Sequence, residues 1–242
     1  MPLLLVVIGF VLMVVGAGCF CVFFDQAVFN RRGTIYRFKT HEKRIALTFD
    51  DGPSLQWTPR ILDELKLSEI KATFFMVGHH VEKYPDIARR VAREGHLIAN
   101  HGYFHNVMLY YTLEQINEEI LRTENIIKEV TGQTTQYFRP PKAWLRTKIK
   151  KKIDAMGYRT VLWSLNSKDW VLFNHKSIVS SIDKNIRNGD ILLFHDSGNV
   201  FKPEGGNRRQ TVKAISLLAR TLRKRGFEFV TIEELTRDKS LV

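Results

Sequence analysis

From residue 45 onward, short apolar runs rich in β-branched and aromatic residues alternate with longer stretches in which apolar positions recur every three or four residues. The first pattern predicts strands and the second helices, because side chains alternate faces along a strand and return to one helix face about every 3.6 residues. Strands are expected at 45–49, 72–77, 96–100, 137–139, 158–165, 190–195 and 227–231. Thr58-Pro59 opens the first helix, with proline at a first-turn position where its missing N–H does no harm. A second helix covers 85–94 and stops at Gly95. Thr112 and Gln115 form a capping box that starts a third, which runs to about Val130 before Gly132. Further helices are expected at 147–156, closed by Gly157, at 177–187, and at 210–225, stopped by Gly226.

Roughly seven β/α units of this kind favour a parallel sheet covered by helices, as a closed barrel or a doubly wound sheet. No glycine-rich phosphate fingerprint follows the first strand, which argues against a dinucleotide-binding sheet. The pattern breaks at the N-terminus. No charged side chain occurs from Pro2 to Phe24, and about 20 apolar residues suffice to cross a bilayer as a helix. Residues 1–24 are therefore expected to form a single transmembrane anchor in contact with membrane lipid. No Lys or Arg precedes the run, which is also longer than the core of a cleavable signal peptide. Gly16-Ala17-Gly18-Cys19 lacks the large aliphatic residue of a lipoprotein cleavage site. Residues 25–43 then read as a basic juxtamembrane segment, 44–236 as one catalytic domain and 237–242 as a tail.

Charge complicates the orientation. Arg31, Arg32, Arg37, Lys39, Lys43 and Arg44 follow the anchor, and the positive-inside tendency would keep that side cytoplasmic. The formal net charge of +12 raises nucleic acid as a partner, but no nucleic-acid reading motif accompanies it. Solvated helix faces such as Lys148, Lys150, Lys151 and Lys152, together with an anionic envelope surface, account for the excess. Both cysteines, Cys19 and Cys21, lie inside the apolar run, so residues 25–242 can form no disulfide and use no thiol nucleophile.

In β/α barrels the reactive groups come from loops at the C-terminal ends of the strands. Those ends carry Asp50 and Asp51, His101 and His105, Arg139, Asp169, and His195. His101-Gly-Tyr-Phe-His105 sets two imidazoles four residues apart, and one carboxylate of the Asp pair would complete a His₂Asp set suited to zinc with an open position for water. Adjacent residues of an extended chain point to opposite sides, so the other carboxylate can face the substrate and take the proton as water attacks. Gly52 is expected to keep side chains from crowding the ion. His195, ending an apolar strand, can protonate a leaving group, and Asp169 can orient it and raise its basicity. His41, His79, His80, His96 and His175 read as structural or surface residues. Ser197 invites a Ser-His-Asp triad, but no Gly-x-Ser-x-Gly elbow supports one.

Thr48-Phe-Asp-Asp-Gly52, His101-x₃-His105, Arg139-Pro140-Pro141, Asp169-Trp170 and Leu193-Phe-His195 resemble, in order and spacing, the five motifs of the polysaccharide deacetylases, carbohydrate esterase family 4. The resemblance spans about Arg44 to Leu235. It implies a distorted (β/α)7–8 barrel behind the N-terminal transmembrane helix. It also implies a divalent metal, usually zinc with cobalt or another ion as alternatives, and hydrolytic removal of acetyl groups from N-acetylated sugars. Carried over by residue, it implies Asp50 as general base, Asp51, His101 and His105 as metal ligands, and Arg139 as the residue holding the base. Asp169 becomes the partner of the acid, His195 the general acid, and Pro140, Pro141, Trp170 and Leu193 the substrate pocket. The expected substrate is an acetylated glycan of the cell envelope, peptidoglycan or chitin-like, with the catalytic domain on the extracytoplasmic side and no specific nucleic acid bound.

Three positions depart from the pattern. Gly102 stands where the family usually has Ser or Thr, so a loop-stabilising hydroxyl is missing, and Asn106 replaces a frequent Pro; Lys142 follows Arg139-Pro-Pro. The altered second motif motivates a rival reading, a catalytically weakened glycan-binding or scaffold protein. The basic flank motivates another, a hydrolase of a different non-peptide C–N bond facing the cytoplasm.

Overall fold

The computed structural model describes residues 6–9, 16, 26–172, 174–198 and 204–237. Eight parallel strands form one sheet: β1 (Arg44–Asp50), β2 (Thr73–Met76), β3 (Leu97–Asn100), β4 (Tyr137–Phe138), β5 (Arg159–Thr160), β6 (Leu165–Asn166), β7 (Ile191–His195) and β8 (Glu228–Val230). Their order is β5-β4-β3-β2-β1-β7-β6, with β8 beside β1. β8 pairs with residues 44–46 of β1 and β2 with residues 48–50, so these two strands share one edge while β7 runs along the other.

The alternation of β1 and β7 divides the core. Leu47, Phe49, Leu192 and Phe194 join a cluster with the apolar stripes of α1 (Thr58–Leu67), α3 (Pro85–Arg93), α6 (His175–Asn185) and α7 (Arg209–Lys224). Ala46, Ile191 and Leu193 face the opposite way, with Phe75, Tyr137, Val161 and Trp163. Thr48, Asp50 and His195 share the parity of this second set, so the strands aim their polar ends into the inner face of the sheet. α4 (Leu113–Thr131) starts with the expected capping box and ends at Gly132 in the left-handed conformation (φ 74°). α5 (Thr147–Ala155) lies between α4 and β5.

Several expectations need correction. The sheet does not close into a barrel: among the described residues no ladder joins β5 to β6. The single strand expected at 158–165 is two short ones, and Val161 and Leu162 between them turn their carbonyl oxygens to Arg139. Ile35 and Arg37 of the basic segment form single bridges to Val161 and Asp190, touching both sides of that gap, and Arg37 pairs with Asp190 at 2.5 Å. Two short helices had no periodic signal: α2 (Gly78–Lys83) and α8 (Ile232–Arg237). The anchor expected over residues 1–24 falls outside the described residues, apart from 6–9 and 16. Among the described residues no helix is long and apolar enough to cross a membrane.

Candidate metal and catalytic site

β1 and β7 end together. Asp50 and His195 are register partners, so two strand-end side chains of matching parity stand side by side on the inner face. Asp50 is buried, and its Oδ1 accepts a 2.5 Å hydrogen bond from Nη1 of Arg139. Arg139 is fully buried, and all three of its guanidinium nitrogens donate hydrogen bonds. Nη1 also donates to Thr48 Oγ1, Nε to the Val161 carbonyl and Nη2 to the Leu162 carbonyl, while the guanidinium lies 3.9 Å over the Phe75 ring. Burial pulls its pKa below the ordinary value while Asp50 opposes that shift. The cation holds one carboxylate oxygen and leaves Oδ2 for other work.

Asp51 turns away from this line because its backbone is left-handed, φ 77°. Such a conformation in a residue with a side chain costs about 1–3 kcal/mol and persists only where its surroundings enforce it. Here His80, at the start of α2, supports it: its ring Nδ1 lies 2.7 Å from the Asp51 carbonyl oxygen, and since a carbonyl only accepts, Nδ1 is the protonated nitrogen. Gly52 is also required by its protein neighbour: a Cβ there would lie 2.0 Å from Oδ2 of the buried Asp196 carboxylate. Burial pushes the Asp196 carboxyl up to about 7, although Thr58 donates to its Oδ2.

His101 and His105 come from the loop after β3. Nδ1 of His101 donates to the Arg139 carbonyl at 2.6 Å, which leaves Nε2 with the free lone pair. That Nε2 lies 3.5 Å from Asp51 Oδ1, and Nε2 of His105 lies 3.0 Å from the same oxygen. Asp51, His101 and His105 thus offer three donor atoms within 4.8 Å of one another. Two imidazole nitrogens and a carboxylate, with one tautomer already set, fit a divalent ion of the zinc type. Burial disfavours the charge on Asp51, but His105 and His101 hold its carboxyl well below the usual range. The loop is pinned from both sides: Gly78 and His79 of α2 donate to the carbonyls of Gly102 and Tyr103, while Gly102, Tyr103 and Phe104 donate to side chains of Asn100 and Glu119.

His195 projects opposite this cluster, its side chain 16 % exposed. Nδ1 lies 2.8 Å from Asp169 Oδ1, and Asp169 Oδ2 accepts the His195 backbone N–H and the Thr211 hydroxyl. Burial opposes charge on both groups, yet they favour each other's charged form: the Asp169 carboxyl falls to about 2, and the His195 imidazole rises above its ordinary value. With Nδ1 engaged by Asp169, Nε2 of His195 is the nitrogen that carries the second proton in the imidazolium form.

All seven strand-end residues expected from the sequence therefore converge at one end of the sheet. Leu193 lies on the same inner face as Asp50 and is buried, Pro140 and Pro141 are buried beside Arg139 in sequence, and Trp170 is partly exposed beside Asp169 in sequence. Ser197 is buried, and its hydroxyl has no hydrogen-bond partner among the described residues, so no Ser-His-Asp triad forms. His96 is structural as expected: Nδ1 accepts the Ala72 N–H, and burial lowers its pKa to about 4. His80 is structural, as expected, though its tie to Asp51 was not foreseen; sequence reasoning missed Glu119 and Asp196. Glu119 alone left a local signal, a carboxylate inside the apolar stripe Ile116, Ile120, Thr123 and Ile127.

The chain is similar to known proteins over most of its length. Residues 37–161 match the family model described as polysaccharide deacetylase. The chain is 38 % identical over 201 residues to a peptidoglycan-N-acetylglucosamine deacetylase of Bacillus cereus, covering 82 % of this chain and 91 % of that one. The crystal structure of a peptidoglycan N-acetylglucosamine deacetylase in complex with a naphthyl-substituted N-oxidanyl-benzamide superposes with a TM-score of 0.79 at 30 % identity, covering 87 % of this chain and 95 % of that one. A carbohydrate esterase family 4 pseudoenzyme from Bacillus anthracis superposes with a TM-score of 0.75 at 26 % identity, covering 84 % and 68 %.

Proposed function

This chain belongs to the polysaccharide deacetylase family, carbohydrate esterase family 4, and from that premise we propose that it hydrolyses the N-acetyl groups of an amino-sugar polymer of the cell envelope, peptidoglycan or a chitin-like glycan. The observation that carries the reading is the convergence of a carboxylate pair, two imidazoles and an Asp169-backed histidine at one end of the sheet. A divalent ion on Asp51, His101 and His105, zinc in our reading, would polarise the acetamide carbonyl and acidify water. Asp50, held through Oδ1 by Arg139, takes the proton of the attacking water on Oδ2 as the oxygen adds to the acetyl carbon. When the C–N bond breaks, His195 delivers its Nε2 proton to the departing amine, and acetate leaves. Asp169 holds His195 in the correct tautomer and favours its charged form for that step. Leu193, Pro140, Pro141 and Trp170 would wall the acetyl and sugar pocket.

The substrate sets the location: residues 1–24 anchor the enzyme in the cell membrane with the domain outside, although the basic flank after the anchor opposes that orientation. The test uses the full-length chain in detergent, loaded with zinc and offered N-acetylglucosamine oligomers and peptidoglycan. Acetate release is expected, and none from any acetylated glycan despite bound zinc would overturn the proposal in favour of a scaffold akin to the similar pseudoenzyme. Protease added to intact cells should reach the domain; protection would refute the outward placement.

A further inference from the structure

The loop 101–105 supplies two of the three candidate metal donors, yet no β-ladder fixes it. Gly102, at φ 78°, carries no hydroxyl to brace the turn, and His105 itself sits at φ 60°. A left-handed histidine needs surroundings that over-determine it. We infer that Glu119 of α4 is the positioning residue that fixes this loop for metal binding, acting through backbone hydrogen bonds and not as a ligand. The inference deepens the deacetylase reading and rests on the same three donors.

Glu119 occupies the buried stripe of α4, between Ile116 and Ile120 on one side and Thr123 on the other. A carboxylate in that setting is costly unless its oxygens accept hydrogen bonds. A single oxygen, Oε2, accepts the N–H of Tyr103 at 2.6 Å and of Phe104 at 3.1 Å. The N–H of Gly102 goes to Asn100 Oδ1 at 2.9 Å. Three successive N–H groups between the two histidines are thus satisfied by side chains, two of them by Glu119. The opposite edge of the loop is held by α2, and Gly78 is needed there because a Cβ would meet Tyr103 and Thr123 side-chain atoms at 2.7 Å. Removing Glu119 would free one edge of this clamp and let His105 relax toward an ordinary backbone, away from the 3.0 Å approach to Asp51. Residues that orient ligands from behind typically change metal affinity by about 10–100-fold when lost.

The test measures the zinc dissociation constant of the full-length protein by competition with a chromophoric chelator, with melting temperatures of the metal-free samples alongside. Glu119→Leu should weaken zinc binding by roughly 10–100-fold. Because Leu at that position could compromise folding, two polar variants decide the case. Glu119→Gln keeps an oxygen at the same reach and should stay within about threefold of wild type, whereas Glu119→Asp keeps the charge but withdraws it from the loop and should lose affinity like Leu. The reverse order, Asp retaining zinc and Gln losing it, would show that charge rather than the clamp matters and would overturn the inference. Unchanged affinity in both Leu and Asp variants would overturn it as well. Acetate release on the same samples separates the two readings: a wild type that binds zinc but frees no acetate sinks the deacetylase proposal, while the chelator still decides Glu119.

Discussion

Asp50 and His195 hang from neighbouring strands as register partners, whereas His101 and His105 ride on a loop whose N–H groups bond to Asn100 and Glu119 and whose carbonyls accept from α2. In the first region the ladder supplies the geometry: parallel pairing and side-chain parity put both groups on the inner face whatever lies beyond. In the second, the backbone is held by the neighbouring Asn100, by the N–H groups of α2 and by Glu119, 15 and 16 residues away from the groups it accepts. A left-handed backbone marks the second kind of support, and it recurs at Asp51, where His80 holds the carbonyl. The proposed proton-transfer groups therefore sit on the most regular part of the fold, and the candidate metal donors on the part that must be braced. Substitutions in the two regions should fail differently, the first in chemistry with metal affinity intact, the second in metal affinity.

The largest effect is expected at Asp50. Asp50→Asn preserves size and one acceptor for Arg139 but removes the base, so acetate release should fall by about 10²–10⁴-fold while the zinc dissociation constant changes little. A parallel loss of zinc would erase the distinction between the two regions. Arg139→Met tests the same region through stability. It leaves the buried Asp50 carboxylate without its cation, and breaking such a pair costs about 3–5 kcal/mol, to be read from the urea midpoint of the metal-free protein. An unchanged midpoint would mean that Asp50 draws its support from elsewhere.

Asp169→Asn probes the acid with a smaller effect and a pH signature. Burial lowers the His195 pKa, and Asp169 is the main group that raises it above its ordinary value, with a smaller contribution from Asp51. A general acid must be protonated, so activity fades as pH rises through its pKa. With Asn at 169 the raising charge is gone, and the alkaline limb of the rate profile should move to lower pH, with roughly 10–100-fold loss at neutral pH. A limb that stays in place would assign it to a group other than His195.

The same division governs how much the sequence alone could reveal. Each strand-borne reactive residue announces itself by ending an apolar run, and the capping box Thr112/Gln115 marks the start of α4; both bonds form, at 3.2 and 2.8 Å. What stayed hidden acts at long range. Where the sheet stays open, Val161 and Leu162 turn their carbonyls to a guanidinium 22 and 23 residues away, which no local pattern records. Asp196 follows His195 directly, but it points to the other side, toward Thr58 and the space that Gly52 leaves open. His80 lies in a six-residue helix without apolar periodicity. Glu119 could have been found, since a carboxylate on the buried stripe of a helix needs donors, and the nearest chemistry was the loop that carries the histidines.

The smallest expected effect is also the most discriminating for that loop. From the family pattern, Gly102→Ser would restore a missing hydroxyl and should tighten the turn. The geometry argues otherwise, because the two N–H groups that follow Gly102 are already taken by Glu119 and its own N–H by Asn100. A side chain at φ 78° costs about 1–2 kcal/mol, and its Cβ would lie 2.8 Å from the flexible Met108 Cε and 3.3 Å from Glu119 Oε2. The methionine end can move aside, so the protein should fold with slightly lower stability, while zinc affinity and acetate release stay within about threefold of wild type, the size expected when the added group adds less than about 1 kcal/mol of net hydrogen bonding. If Gly102→Ser instead raised zinc affinity tenfold, the loop would be under-braced as it stands, and the contrast between a ladder-held and a side-chain-held region would become one between a finished region and an unfinished one.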